Sequence, residues 1–136
     1  MANTFLIRGE REVRLPYYML GNALATLRAR LPAEDPARRL ADPWLAHIEE
    51  DMGYVLMDKS LLEDREGVGR LREVLDELAD ELALGKVPFP PETIRTMGEV
   101  DYNVKFTLDT CRRLVLFLDE VIADQKAEAA GSKRSP

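Results

Sequence analysis

The chain has 136 residues, of which 46% are hydrophobic and 32% are charged, so it suits one domain with a buried core. The net charge of −6 argues against nucleic-acid binding, because phosphate contacts need clustered cations. No apolar run reaches the roughly 18 residues of a membrane span, the start lacks a secretory signal, and one cysteine excludes an intrachain disulfide. These features predict a soluble cytoplasmic protein with no nucleic-acid or membrane partner.

The first predicted element is a β-hairpin over residues 3–15. Apolar side chains stand at a spacing of two on either side of its turn, at Phe5, Ile7, Val13 and Leu15. Gly9 lies between the strands, where it can adopt the positive φ of a tight turn. Because a hairpin alone is marginally stable in water, we expect this one to lie on helices or to pair with another chain.

Apolar residues at helical spacing predict four helices after the hairpin, over residues 16–31, 43–66, 68–85 and 91–127. Pro16 suits the first position of a helix, and Asp42-Pro43 is typical of an N-cap followed by proline. Gly98 is the position at which the last helix would divide in two. Residues 128–136 are small, polar and basic, so we expect them to be disordered. The predicted fold class is mainly α: an antiparallel four-helix bundle with a short N-terminal β-hairpin.

The predicted helix over residues 68–85 has leucines along one side and acidic residues along the other. We name the acidic side the acidic docking ridge; it consists of Glu73, Asp76, Glu77, Asp80 and Glu81. Like charges four residues apart on a helix cost about 0.2–0.5 kcal/mol per pair. A solvated surface is the simplest interpretation, but a cation or a basic protein partner would relieve the repulsion. One hypothesis is therefore an acidic inhibitor, such as an immunity or antitoxin-like protein.

Paired carboxylates occur on two consecutive predicted helices: Glu49-Glu50 on the first, then Glu73-x-x-Asp76 and Glu77-x-x-Asp80 on the second. This pattern resembles the all-α nucleotide pyrophosphohydrolases, which hold Mg²⁺ with carboxylates from two adjacent helices. The resemblance covers about a quarter of the chain and implies a Mg-dependent phosphohydrolase. Gly53 and Tyr54 stand where the family pattern places a third carboxylate, so the motif is incomplete.

The second predicted helix carries a group that we name the polar cleft candidate: His47, Asp51, Tyr54 and Asp58. At 100° per residue these side chains fall within about 60° of one another, beside the apolar side of the helix. A histidine with carboxylates suits a divalent metal or a general base. The chain has one histidine and no second ligand motif, so we expect ordinary hydrogen bonds here, with no metal, no other cofactor and no catalytic residue.

The last predicted helix has a second apolar side, opposite its main one. We name this group the interface candidate; it consists of Tyr102, Phe106, Arg113 and Phe117. A helix in a small bundle needs one apolar stripe, so a second must be covered by the hairpin, by another helix or by another subunit. Aromatic residues and arginine are favoured at interfaces. The leading hypothesis is a noncatalytic α-helical protein-interaction or regulatory protein that forms a homo-oligomer.

Overall fold

The structure is a computed structural model, and it describes residues 3–50, 59–90 and 99–134. These residues form two β-strands, four α-helices and one 3-10 turn: β1 (Asn3–Arg8), β2 (Arg11–Pro16), α1 (Tyr17–Arg30), α2 (Arg38–Glu49), the 3-10 turn (Lys59–Glu63), α3 (Arg65–Ala83) and α4 (Val100–Arg134). The prediction of a mainly helical chain with an N-terminal hairpin is confirmed. Within the described ranges, no helix has both the length and the apolar content needed to cross a membrane.

The hairpin is antiparallel and turns at Gly9, whose φ of 63° lies in the left-handed region. Its inner face is set by cross-strand pairing, because Leu6 pairs with Val13 and both lie on the side of Leu15. Leu6 and Leu15 are fully buried. Ile7, which the sequence pattern grouped with Val13 and Leu15, lies on the opposite face and is 41% exposed. The spacing of two within each strand did not show which residues of the two strands share a face, because that depends on the length of the turn.

The second helix begins at Arg38, five residues before the predicted start at Pro43. Its first turn is buried in the core, where Ala37, Leu40 and Ala41 have no exposed surface. Burial of this turn therefore outweighs the helix-breaking tendency of a proline in the second turn. Asp42 is consequently not an N-cap; its carboxylate accepts a hydrogen bond from Arg38 Nε at 2.7 Å.

The predicted single helix over residues 43–66 is also corrected. The α-helix ends at Glu49, residues 59–63 form the 3-10 turn, and residues 51–58 lie outside the described residues. A new helix, α3, then begins at Arg65 because Asp64 acts as its N-cap, accepting the backbone N–H of Gly67 at 3.0 Å. The helix ends as predicted near Gly85, whose φ of 80° allows the N–H groups after the helix to bond back to its last carbonyls.

The last helix, α4, is continuous through Arg134 among the described residues, beyond the predicted end at 127. Alanine and glutamate, which dominate residues 127–130, are strong helix formers. A contact also holds this part of the helix, since Arg8 Nη2 donates to the Glu128 carboxylate at 3.0 Å. The predicted disorder of residues 128–136 therefore does not extend to residues 128–134, and the predicted break at Gly98 falls outside the described residues.

The core lies between α3 and α4 on one side and α1, α2 and the hairpin on the other. The apolar seam of α3 is fully or almost fully buried along its whole length, at Val68, Leu71, Leu75, Leu78 and Leu82. The helix α4 contacts α3, α1 and β2. This arrangement makes α4 the element that connects the hairpin to the helices.

Candidate functional site

Among the described residues, three neighbours pack on parts of α4, while Tyr102 and Leu116 stay exposed on another side of it. Arg72 of α3 binds Asp119 at 2.8 Å, and Asn22 of α1 approaches Thr107 at 3.4 Å. We define the remaining side as the outer face of α4, and it consists of Tyr102, Phe106, Asp109, Arg113, Leu116 and Glu120. These positions alternate in steps of four and three, so they form one stripe along the helix.

The amino-terminal end of the outer face carries an aromatic pair. The rings of Tyr102 and Phe106 have centroids 4.4 Å apart and are tilted by 43°, a favourable arrangement for two aromatic side chains. Tyr102 is 41% exposed and Phe106 is half-buried. The Lys105 ammonium lies 5.7 Å from the Phe106 ring centroid, within range of a cation–π contact. The two rings thus form a projecting apolar surface with a positive charge beside it.

The interface candidate is divided by the hairpin. Phe117 is only 3% exposed, and it lies on the side of α4 that β2 covers. The Arg113 guanidinium donates a hydrogen bond to the backbone carbonyl of Arg14 on β2 and lies 3.8 Å from the Asp109 carboxylate of its own helix. The hairpin therefore supplies the internal cover that the sequence left open for Phe117. Tyr102 and Phe106 are not covered in this way by any described residue.

A shallow groove of about 220 Å³ lies where β2 meets the outer face of α4. We name it the hairpin groove; it is lined by Glu12, Val13, Arg113, Leu116, Phe117 and Glu120. Val13, Leu116 and Phe117 are apolar, and the ionic groups of the other three residues surround them. Leu116 is 65% exposed, an unusual position for a leucine on a helix. An apolar surface with a charged rim is the usual composition of a protein-binding pocket.

Arginines on the hairpin hold this groove in place. Arg8 donates to Glu128 on α4 and to Glu63 on the 3-10 turn, with distances of 2.9–3.2 Å. Arg11 binds Asp124 at 2.5 Å and 3.0 Å. These hydrogen bonds raise the pKa of Arg8 and lower the pKa of the two α4 carboxylates.

The sequence analysis missed this cluster, although two features indicated it. Acidic residues on α4 recur every four residues at 120, 124 and 128, and the hairpin carries arginines at 8 and 11. The groups also border a groove of about 650 Å³ at the hairpin turn. Arg8 and Arg11 of the hairpin both form ion pairs with carboxylates of α4 there. The cluster therefore positions β2 on α4, and with it the hairpin groove.

The acidic docking ridge is partly neutralised by arginines. Three of its five carboxylates lie against an arginine: Glu73 against Arg70 at 3.2 Å, Asp76 against Arg72 at 3.5 Å, and Glu81 against Arg30. Glu77 and Asp80 are exposed and have no ion pair within the described ranges. Most of the repulsion that suggested a basic partner is thus relieved inside the chain itself.

Of the four residues of the polar cleft candidate, the structure describes one. His47 is half-buried in the last turn of α2, while Asp51, Tyr54 and Asp58 lie outside the described residues. Of the paired carboxylates, Glu49 accepts a hydrogen bond from Arg28 at 2.6 Å. Within residues 3–50, 59–90 and 99–134, no three or more metal-ligating side chains are grouped so as to hold an ion.

All six residues of the outer face of α4 lie within the described part of the chain and on one stripe of one helix. Its six side chains are aromatic, aliphatic or charged and include no hydroxyl, thiol or imidazole nucleophile other than the Tyr102 phenol. Such groups bind a protein surface by apolar burial and ion pairing. Comparison of the chain with protein-family models, with curated proteins and with solved structures gave no match.

Proposed function

We propose that this chain is a noncatalytic α-helical protein-interaction or regulatory protein that self-associates through the outer face of α4. The observation that carries the proposal is the aromatic pair of Tyr102, which is 41% exposed, and Phe106, which is half-buried. Burial of an exposed aromatic ring in an interface is favourable by about 25 cal/mol for each Å² of apolar surface that is removed from water. Clusters of such residues beside arginine mark the energetic centres of protein interfaces.

The proposal includes the packing of the helices and the compartment. We propose an antiparallel four-helix bundle, which is supported by the contacts of α3 with α4 and of α1 with both α2 and α4. The proposed compartment is the cytoplasm, which is supported by the single cysteine, Cys111, being a free thiol. A helical bundle offers a rigid scaffold for an interaction surface, because its side chains are held by packing on both sides of α4.

The test is the mass of the protein in solution over a range of concentrations, by sedimentation velocity and light scattering. We expect a dimer for the native chain and a monomer for the double variant Tyr102→Ala, Phe106→Ala. An interface hot-spot ring contributes about 2 kcal/mol, and each substitution removes a ring from both copies of the dimer, so each is expected to raise the dissociation constant by about 1,000-fold. Phe117 is unsuitable for this test because it is buried, and its replacement would disturb the core.

The matched control is Leu84→Ala. Leu84 is the most exposed large apolar residue among those described, at 75%, and it is the C-cap of α3, so it is not part of the outer face of α4. Its replacement removes exposed apolar surface and leaves the six residues of the outer face unchanged, so this variant is expected to remain a dimer. A native chain that stays monomeric at the highest accessible concentration would contradict the proposal.

A further inference from the structure

Building on the proposed self-association, we propose that a second copy of this chain docks antiparallel along the outer face of α4, with the twofold axis between Asp109 and Arg113. The order of residues along the stripe carries this inference. In the antiparallel arrangement, Asp109 of each copy faces Arg113 of the other, Phe106 faces Leu116, and Tyr102 faces Glu120. Because the axis is twofold, each of these contacts is made twice.

The parallel alignment and the antiparallel alignments nearest to the proposed one place like charges together. A parallel pair of α4 helices would bring Asp109 against Asp109 and Arg113 against Arg113. Sliding the antiparallel pair by one step in either direction would centre the axis on one of these residues and oppose it to its own copy. Like charges that face each other across an interface cost up to several kcal/mol. The proposed register is the antiparallel one in which opposite charges meet at the centre of the stripe.

The shapes of the two ends are also complementary. Phe106 and Leu116 are ten residues apart, which is about 15 Å along a helix. In the proposed register the projecting aromatic pair of one copy lies over the hairpin groove of the other, at both ends of the contact. Phe106 of the second copy then packs on Leu116 and Val13, which line a groove of about 220 Å³. The Tyr102 hydroxyl of the second copy comes within reach of the carboxylates of Glu120 and Glu12, to which it can donate.

The charges at the centre are available for this contact. The Asp109 side chain is exposed, and its ion pair with Arg113 inside one chain is long, at 3.8 Å. A contact between two helix faces with six residues each falls at the small end of specific interfaces, below about 1,200 Å² in total. We therefore expect a dissociation constant in the micromolar range.

The test uses two charge reversals, Asp109→Arg and Arg113→Asp, in the full chain. Each variant alone has four like charges around the axis, so we expect its dissociation constant to rise at least 100-fold. In an equimolar mixture, two arginines of one variant face two aspartates of the other, and both central pairs are attractive. We expect the mixture to form a heterodimer with a dissociation constant within tenfold of that of the native protein, measured by sedimentation velocity with one variant fluorescently labelled.

Three results would overturn the register, and the first two leave the proposed function standing. Variants that dimerise individually like the native chain would refute the register while self-association stands. A mixture of folded variants that stays monomeric would refute it as well. A native chain that is itself monomeric would refute both the register and the proposed function.

A second measurement does not depend on Arg113, which also binds the hairpin carbonyl of Arg14. Phe106→Cys and Leu116→Cys are prepared separately and oxidised alone and together. The proposed register brings position 106 next to position 116 of the other copy, so a disulfide-linked dimer is expected mainly in the mixture. Efficient cross-linking of either variant with itself, and none in the mixture, would contradict the arrangement.

Discussion

Two glycines in the first turns of α3 have opposite surroundings, although they are only two residues apart. A Cβ atom added at Gly67 would lie 2.5 Å from Leu40 Cδ1 and 2.7 Å from Asp64 Oδ2. A Cβ atom added at Gly69 would have no atom within 4 Å. We therefore expect Gly67→Ala to destabilise the protein and Gly69→Ala to stabilise it.

The magnitudes follow from the two neighbours of Gly67. Leu40 is fully buried, so it has no solvent-filled space to move into, and overpacking of a core costs about 1–3 kcal/mol. Displacing the Asp64 carboxylate weakens the N-cap of α3, which is worth about 0.5–2 kcal/mol. Alanine recovers about 1 kcal/mol of helix propensity at either position. The expected change in the free energy of unfolding is a loss of about 0.5–4 kcal/mol for Gly67→Ala and a gain of about 0.5–1 kcal/mol for Gly69→Ala.

Urea unfolding followed by far-UV circular dichroism measures both variants against the native chain. The comparison requires that the slope of the free energy of unfolding against urea concentration is the same in all three proteins, because a changed slope would indicate an altered unfolded state. If Gly67→Ala were as stable as Gly69→Ala, Leu40 and Asp64 could not lie where the structure places them. The docking of α2 on the start of α3 would then be wrong.

Two further predictions concern acid and the cysteine. Hydrogen bonds from Arg39 and Gly67 hold the pKa of Asp64 below its usual value. The folded state therefore gains stability at neutral pH, and this stability is lost as the pH falls below about 4. The free energy of unfolding should fall between pH 7 and pH 3 in the native chain, and it should fall less steeply in the variant Asp64→Asn. Burial raises the pKa of the Cys111 thiol to about 12, so labelling by an aromatic disulfide reagent at pH 8 should be as slow as unfolding, and immediate labelling would contradict its burial.

Local patterns in the sequence were sufficient to predict the helices that bury one apolar stripe. The seam of α3 was predicted from its spacing alone, and Leu75 and Leu78 have no exposed surface. This works because the 3.6-residue period is a property of one segment and does not depend on its neighbours. The end of α3 was predicted for the same reason, since Gly85 supplies a positive φ locally.

Features that depend on distant contacts were not predicted. The early start of α2 follows from the burial of Leu40, which overrides the local signal of Pro43. The neutralisation of Glu81 comes from Arg30, which is 51 residues away in the chain. The cover of Phe117 comes from a hairpin about a hundred residues earlier. Spacing within a segment contains no information about which segments meet, so these contacts required the structure.

The helix α4 is much longer than α3, which packs along it. At 1.5 Å per residue, its 35 residues extend for about 52 Å, whereas the 19 residues of α3 extend for about 28 Å. A helix that is longer than its neighbour has sides that the neighbour cannot cover. The hairpin and α1 bury part of that surface, yet Tyr102 and Leu116 stay exposed on one stripe with Asp109 and Arg113 between them. A second α4 has the same length and, in reverse order, the complementary residues, which is the reason for proposing a second copy of the chain as the partner of this stripe.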